Sequence, residues 1–314
     1  MSCAIFYLTQ NTELRRVYLK TSLYFLFRNF NSFYNYPVII LHENDYDELS
    51  KTDIIMSIRS SCRSLITFQE LDKDDFKLPD NIDEERLKLC VDVKLTSYSR
   101  NEKYRIMCRW WLIHFPKYSK NYEYVMRLDD DSIIEEPIQD LFKLMSEKKL
   151  VYSSNIRMID CALCCYGMKE FFSNRFNDEE SLKKIDTIFI KQYINIDKFE
   201  PFMELLSINK KVCSLSVENF VLDTPIMYYN NFFITKTSFW EQLDVKKTIE
   251  EIDRDGSIFY YRWGDSPLQS LIVLLLGKES EVETFKFKYS KRMERESFYG
   301  NDKKYYSYMP STYS

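Results

Sequence analysis

A chain of 314 residues, 45% hydrophobic and 29% charged, buries a full core in one large domain or two small ones, which excludes a disordered or collagen-like chain. Its 44 basic and 48 acidic residues leave a net charge of −4, so no broad positive field exists to hold nucleic acid or an anionic membrane. Five glycines at no phosphate-cradling spacing exclude Rossmann and Walker-type loops, and His42 and His114 alone cannot build a histidine-rich zinc site, so any metal is held mainly by oxygen.

In chain order, residues 3–8 (CAIFYL) read as a buried strand, and Asn11 and Thr12 offer caps to a helix whose apolar side carries Leu14, Val17, Tyr18 and Phe25. Pro37 ends that segment and opens a strand over 38–41. The polar stretch 45–52 leads into a helix with Ile54, Ile55 and Ile58, then a strand near 65–68, and 72–85 reads as loop. A helix over 104–115 precedes a strand over 122–128 that ends in Asp129, Asp130, Asp131 and Ser132. A strand over 150–154 follows, then helices over 168–176 and 178–199, a strand over 228–234, and helices over 238–255 and 267–276, the last with Pro267 in its first turn. This alternation predicts an α/β fold, a mostly parallel central sheet flanked by helices, in a single domain over 1–298 with 299–314 as tail or flap.

The cysteines, Cys3, Cys62, Cys90, Cys108, Cys161, Cys164, Cys165 and Cys213, keep no short-domain disulfide rhythm and read as buried free thiols suited to a reducing compartment. Residues 1–8 enter a strand at once, without a basic leader or a long apolar stretch, so the sequence predicts no export signal and no membrane span, and leaves the location as cytoplasmic or unknown.

In open α/β sheets ligands gather at the carboxyl ends of strands, which is where Asp129–Asp131 stand. Three adjacent carboxylates repel. A divalent cation offsets that cost most simply, and magnesium or manganese takes one or two carboxylates and fills its other positions with diphosphate oxygens and water. The competing reading makes the acids the N-terminus of a helix within 132–145. Further on, Arg262-Trp263-Gly264-Asp265-Ser266-Pro267 joins a cation and a flat ring, suited to a sugar, to a carboxylate placed as a helix N-cap.

Together these blocks resemble the fungal-type α-1,2-mannosyltransferases, retaining enzymes of the GT-A fold that use GDP-mannose and manganese. Tyr104, Arg105, Met107, Cys108 and Arg109 match the family tract Tyr-Arg-x-Met-Cys-Arg, and 127–131 match its Arg-Val-Glu-Pro-Asp strand end. Asn230 to Ile234, with Phe239 and Trp240, match in part its Ser-Asn-Phe-Glu-Ile and Phe-Trp. Residues 262–267 match its Arg-Trp-Gly-Asp-Ala-Pro. The blocks keep their order from the first strand to about Phe285.

The resemblance implies Mn2+ (or Mg2+) on Asp129 and Asp131, donor binding by Thr9, Arg109, Arg127, Asp129, Asn231 and Trp263, and catalytic roles for Asp265, Tyr104 and Arg262. It divides the domain into a nucleotide-binding half over 1–132 and an acceptor half over 133–298. The implied partners are a nucleotide diphosphate sugar and a glycan, glycoprotein or glycolipid acceptor, and the family typically works in the Golgi lumen. Three positions depart from its pattern. Phe233 replaces a glutamate held to be the nucleophile or stabiliser, Tyr261 replaces another, and the late metal-binding histidine has no counterpart near Tyr289, where Ser290, Lys291 and Arg292 follow. Metal coordination then falls to the aspartates, diphosphate and water, and retention to front-face attack assisted by the leaving phosphate. The alternatives are a GT-A transferase for a UDP-sugar, and a transferase-like binding protein without turnover.

Overall fold

The structure is a computed structural model that describes residues 1–95, 100–211 and 220–291; Cys213 and the expected tail over 299–314 lie outside the described residues. The strands are β1 (Cys3–Thr9), β2 (Val38–His42), β3 (Ile66–Glu70), β4 (Tyr124–Leu128), β5 (Ser132–Ile134), β6 (Tyr152–Ser154) and β7 (Arg157–Ile159). There follow β8 (Phe189–Tyr193), β9 (Val221–Tyr228), β10 (Phe232–Lys236), β11 (Val282–Thr284) and β12 (Tyr289–Lys291). The central sheet runs β11-β6-β10-β4-β1-β2-β3, with β10 antiparallel to both its neighbours and every other pairing parallel. The mostly parallel α/β sheet is therefore as expected.

Side chains alternate across each strand, and the alternation divides the core in two. Phe6, Ile39, Leu41, Val125 and Phe233 face one layer; Ile5, Tyr7, Val38, Ile40, Met126 and Ile234 face the other. The second layer holds the helix Glu13–Leu26, opened by Thr12, whose hydroxyl accepts from the Arg15 amide. On the first face lie the helices Glu102–Ile113, Leu243–Asp255 and Asp265–Leu276, which bring Trp110, Trp111, Ile249 and Leu271 into that core layer.

Several sequence expectations are corrected. The stretch 178–199 is not one helix: Glu179–Ile188 gives way at Phe189 to β8, which pairs antiparallel with β9. The strand expected over 228–234 straddles the turn between β9 and β10. Within the loop expected over 72–85, Asp83 caps a helix, Glu84–Asp92. After Asp131 the chain enters β5 rather than a helix, and β5 pairs with β12. The seven described cysteines are free, and all but the half-exposed Cys161 are buried. Among the described residues no helix is long and apolar enough to cross a membrane.

The helix Glu102–Ile113 is clamped from outside. Arg109 donates to both carboxylate oxygens of Asp253, at 2.7 and 2.8 Å, and its third nitrogen stands 2.9 Å from His114 Nε2. His114 Nδ1 lies 3.3 Å from Asp75. This geometry fits a neutral ring that accepts from Arg109 and donates towards Asp75. Burial, and then the Arg109 charge, depress the His114 pKa below its ordinary 6.5. The unfolded chain therefore takes up the proton first, so this group's contribution to stability is full above pH 6.5 and is lost as pH falls from there through the lower folded value. His114→Gln, which can make the same two hydrogen bonds without titrating, is expected to flatten the fall in urea midpoint between about pH 7 and about pH 5; an unchanged slope would mean that the ring's titration does not set the acid limb.

Candidate active site

Strand order places the site. The chain runs outward from β1 through β2 to β3 and returns on the opposite side of β1 as β4, so a crevice opens where the carboxyl ends of β1 and β4 diverge. Thr9 closes β1, and its hydroxyl spans the crevice to Asp130 Oδ2 at 2.8 Å. The crevice widens into a cavity of about 620 Å3 that Thr9, Tyr104, Arg127, the three aspartates, Asn231, Arg262 and Asp265 all border.

Each of the three adjacent acids is held differently. Asp129 accepts from Arg127 at 3.0–3.1 Å on one oxygen and from Lys291 at 3.1 Å on the other. Burial would raise its pKa, but those two cations outweigh it and hold it low. Asp130 binds Arg15 at 2.7 Å. Its carboxyl is nevertheless pushed up to about 6, first by burial and then by Asp131, against the pull of Arg15. Asp131 is 3% exposed; its Oδ1 lies 3.2 Å from the Lys291 ammonium in an ion pair and makes no hydrogen bond.

Arg127 connects this strand end to the other half of the site. It leaves β4 on the Trp111 face of the sheet, and its guanidinium lies 3.9 Å from the centre of the Trp111 ring. From there Nη1 donates to Asp265 Oδ2 at 2.6 Å, an oxygen that also accepts from Asn230 at 2.8 Å. Burial opposes the charge on Arg127, but Asp129 and Asp265 outweigh it and keep the group protonated. Gln269 extends the network, accepting from Asn230 at 3.1 Å and donating to the Trp111 carbonyl at 3.0 Å. The expected N-cap is corrected here: Gly264 stands at the cap, and Asp265 is the first helical residue with its carboxylate committed to Arg127.

Neighbours in the Arg262-Trp263 pair part company. Arg262 adopts φ +64°, a left-handed conformation that a non-glycine residue holds at a cost of about 1–2 kcal/mol. Its guanidinium meets Asp160 at 3.4 Å and lies 5.9 Å from the Tyr104 ring on the cavity wall. Trp263 is directed into the core, its indole N–H bonded to the Tyr166 carbonyl at 2.9 Å. Trp263 and the Asp253-bound Arg109 do not border the cavity, so the expectation that they contact donor is corrected: packing consumes one and an interhelical ion pair the other. Phe233 is buried beside Trp111, Phe115 and Tyr152, and Tyr261 is likewise buried. Neither brings a carboxylate to the site.

Sequence pattern alone does not mark Arg15, Trp111 and Lys291 as site residues. Arg15 reads in sequence as the outer face of an amphipathic helix and Trp111 as core. Lys291 reaches the acids because β12 pairs with β5 in a register that sets Lys291 opposite Ser132, the residue after Asp131.

That register also decides how a metal fits. The expected Mn2+ on Asp129 and Asp131 requires the place between their carboxylates, and Lys291 Nζ stands there, 3.1 and 3.2 Å from them. Among the described residues no three His, Cys, Asp or Glu side chains converge as a metal site. With Lys291 in that place, this donor set does not fit a resident divalent ion.

The switch-point cavity and acidic strand end define a glycosyltransferase fold of the GT-A type. Two solved structures share it: the mannosyltransferase Ktr4p from S. cerevisiae in complex with GDP (TM-score 0.72, 18% identity, 93% of this chain and 71% of that one) and the Mn/GDP form of core-mannan synthase A from Aspergillus fumigatus (TM-score 0.71, 19% identity, 93% and 75%). The chain belongs to the glycolipid 2-alpha-mannosyltransferase family, whose profile matches residues 1–294. Among curated relatives, "Probable mannosyltransferase KTR4" of Saccharomyces cerevisiae is 24% identical over 293 residues, 89% of this chain. O-glycoside alpha-1,2-mannosyltransferase omh1 of Schizosaccharomyces pombe is 24% identical over 292 residues, 91% of this chain. The chain spans 57% of the length of the first and 67% of the second.

The Arg127–Asp265 pair sets a stability test. Asp265→Ala leaves a buried guanidinium short of a partner and is expected to cost about 3–5 kcal/mol in urea denaturation. Asp265→Asn, which keeps an oxygen for Arg127 and Asn230, should cost less; equal losses would mean that the charge on Asp265 carries the whole effect.

Proposed function

We propose that this chain transfers mannose from GDP-mannose to a glycan, glycoprotein or glycolipid hydroxyl with retention, forming an α-1,2 linkage. The observation that carries the reading is the convergence of Asp129 and Asp131, at the end of β4, with Tyr104, Arg262 and Asp265 around one cavity at the switch point of the sheet. Family membership and the GDP carried by both structural neighbours support the donor.

Thr9 and Asn231 border the nucleotide and diphosphate side, and Tyr104 and Arg262 orient the sugar from the facing wall. The nearby Cys108, and then burial, hold the Tyr104 phenol well above its ordinary pKa, so it serves as a neutral hydrogen-bonding group. One oxygen of Asp265 is committed to both Arg127 and Asn230. It fixes Arg127 and, through it, Asp129. With Phe233 buried where a nucleophile would be needed, the acceptor attacks C1 on the face the diphosphate leaves. The C1–O bond electrons pass to the phosphate, and a departing phosphate oxygen takes the acceptor's proton, which preserves the anomeric configuration. The Aspergillus neighbour is a Mn/GDP form, whereas in this chain Lys291 stands between Asp129 and Asp131, the place the expected Mn2+ (or Mg2+) would need. Because Lys291 holds their shared place, each of these steps relies on the chain's own residues.

The test is a donor screen with purified protein, reading released nucleoside diphosphate and the anomer and linkage of the product by NMR. GDP-mannose should turn over, and Asp131→Ala should lower the rate by about a hundredfold or more. Release of UDP from a UDP-sugar instead would reassign the donor, and binding of GDP without transfer to any acceptor would make the chain a binding protein.

A further inference from the structure

Lys291 is the cation that stands between the two crevice-facing acids, and three observations about it bear on how a donor is received. Its side chain is largely buried, at 14% exposure, and Nζ stands 3.1 Å from Asp129 and 3.2 Å from Asp131, so one ammonium bridges both acids. Its position is fixed by backbone: β12 pairs with β5 through Tyr289, Ser290 and Lys291, and the Tyr289 hydroxyl lies 2.7 Å from the Ser132 hydroxyl beside the acids. Asp131 Oδ1, buried and without a hydrogen bond, is directed at the same spot. A buried and a partly buried carboxylate facing one point favour a positive charge between them, and a fixed ammonium and a divalent ion cannot share so small a space.

We propose that Lys291, rather than a bound divalent metal, supplies the positive charge that receives the donor's diphosphate, so that donor binding and transfer proceed without a metal ion. The inference rests on the proposed sugar-nucleotide reading. Asp129 and Asp131 hold the ammonium at the mouth of the crevice and keep it charged. As the C1–O bond breaks and its electron pair passes to the phosphate, Lys291 meets the growing negative charge that a metal would otherwise meet. The acceptor oxygen forms the new bond to C1, and its proton leaves on the phosphate. No other co-reactant is required.

A second consequence makes the inference testable without turnover. Removing the ammonium leaves Asp131 without its ion-pair partner and frees the Asp129 oxygen that Arg127 does not hold, which creates the oxygen-lined site that the wild-type chain lacks. Lys291→Gln should therefore gain a saturable thermal shift with Mn2+ that wild type does not show.

The experiment measures GDP affinity by calorimetry, Mn2+ binding by thermal shift, and GDP release from GDP-mannose, each in EDTA and in Mn2+, for wild type, Lys291→Gln and Lys291→Arg. The expected result is wild-type affinity and turnover unchanged by EDTA, and a loss of about tenfold or more in GDP affinity for Lys291→Gln in EDTA. Mn2+ should recover most of that loss, and Lys291→Arg, which keeps the charge, should lose less than Lys291→Gln. Recovery by Mn2+ also separates a lost charge from a lost fold. The proposal is overturned if wild type binds Mn2+ and loses turnover or GDP affinity in EDTA, or if Lys291→Gln binds GDP as wild type does. If no variant binds GDP under either condition, the donor reading fails on its own. The Lys291 assignment is then decided by the Mn2+ thermal shift: a shift in wild type equal to that in Lys291→Gln rejects it.

Discussion

One buried guanidinium organises this site. Arg127 lies under Trp111 and reaches Asp129 two residues along the chain and Asp265 at the start of a helix on the far side of the crevice. A charged group in that position persists only if its donors are satisfied and its charge is matched. The two carboxylates do both, and Asn230, held in turn by Gln269, donates to the same Asp265 oxygen. The strand end and the helix Asp265–Leu276 are thereby held in one geometry, which a cavity lined only by apolar residues would not impose.

Around Arg127 the acids are divided among separate cations. Asp130 answers to Arg15, Asp129 to Arg127 and Lys291, and Asp131 to Lys291. The division explains how neighbours with the same chemistry differ in acidity, Asp129 held low and Asp130 raised to about 6. It also separates their roles: Asp130, bound to Thr9 and Arg15, ties β1 and its following helix to β4, while Asp129 and Asp131 face the open crevice.

Much of this is legible in the chain itself because the signals are local. Strand periodicity, the Thr12 cap, the acid run closing a hydrophobic strand and the Arg-Trp-Gly-Asp block are all read within a dozen residues, and they place the sheet and the convergence of Asp129, Asp131, Asp265, Tyr104 and Arg262 on one cavity. What escapes is non-local or hidden in a single dihedral. The β8 segment continues an apolar pattern that a helix would also satisfy, and only pairing with β9 decides it. Trp263 and Arg262 are adjacent in sequence and opposite in fate because φ at Arg262 turns the backbone. Lys291 lies 162 residues from Asp129; the sequence shows only that it stands near where the resembled family has its late histidine, and the β5–β12 pairing is what brings it to the acids.

The pairing of β5 with β12 has an implication for how such chains diverge. A carboxylate buried beside a cation tolerates loss of that cation poorly, whereas exchanging ammonium for imidazole would convert a self-neutralised pair of acids into a ligand set for an ion from solution. On the proposed reading, one side chain on a short edge ladder would decide between two solutions to one electrostatic problem. The remaining architecture, from the crevice to the Trp111 shelf, can stay the same across that change.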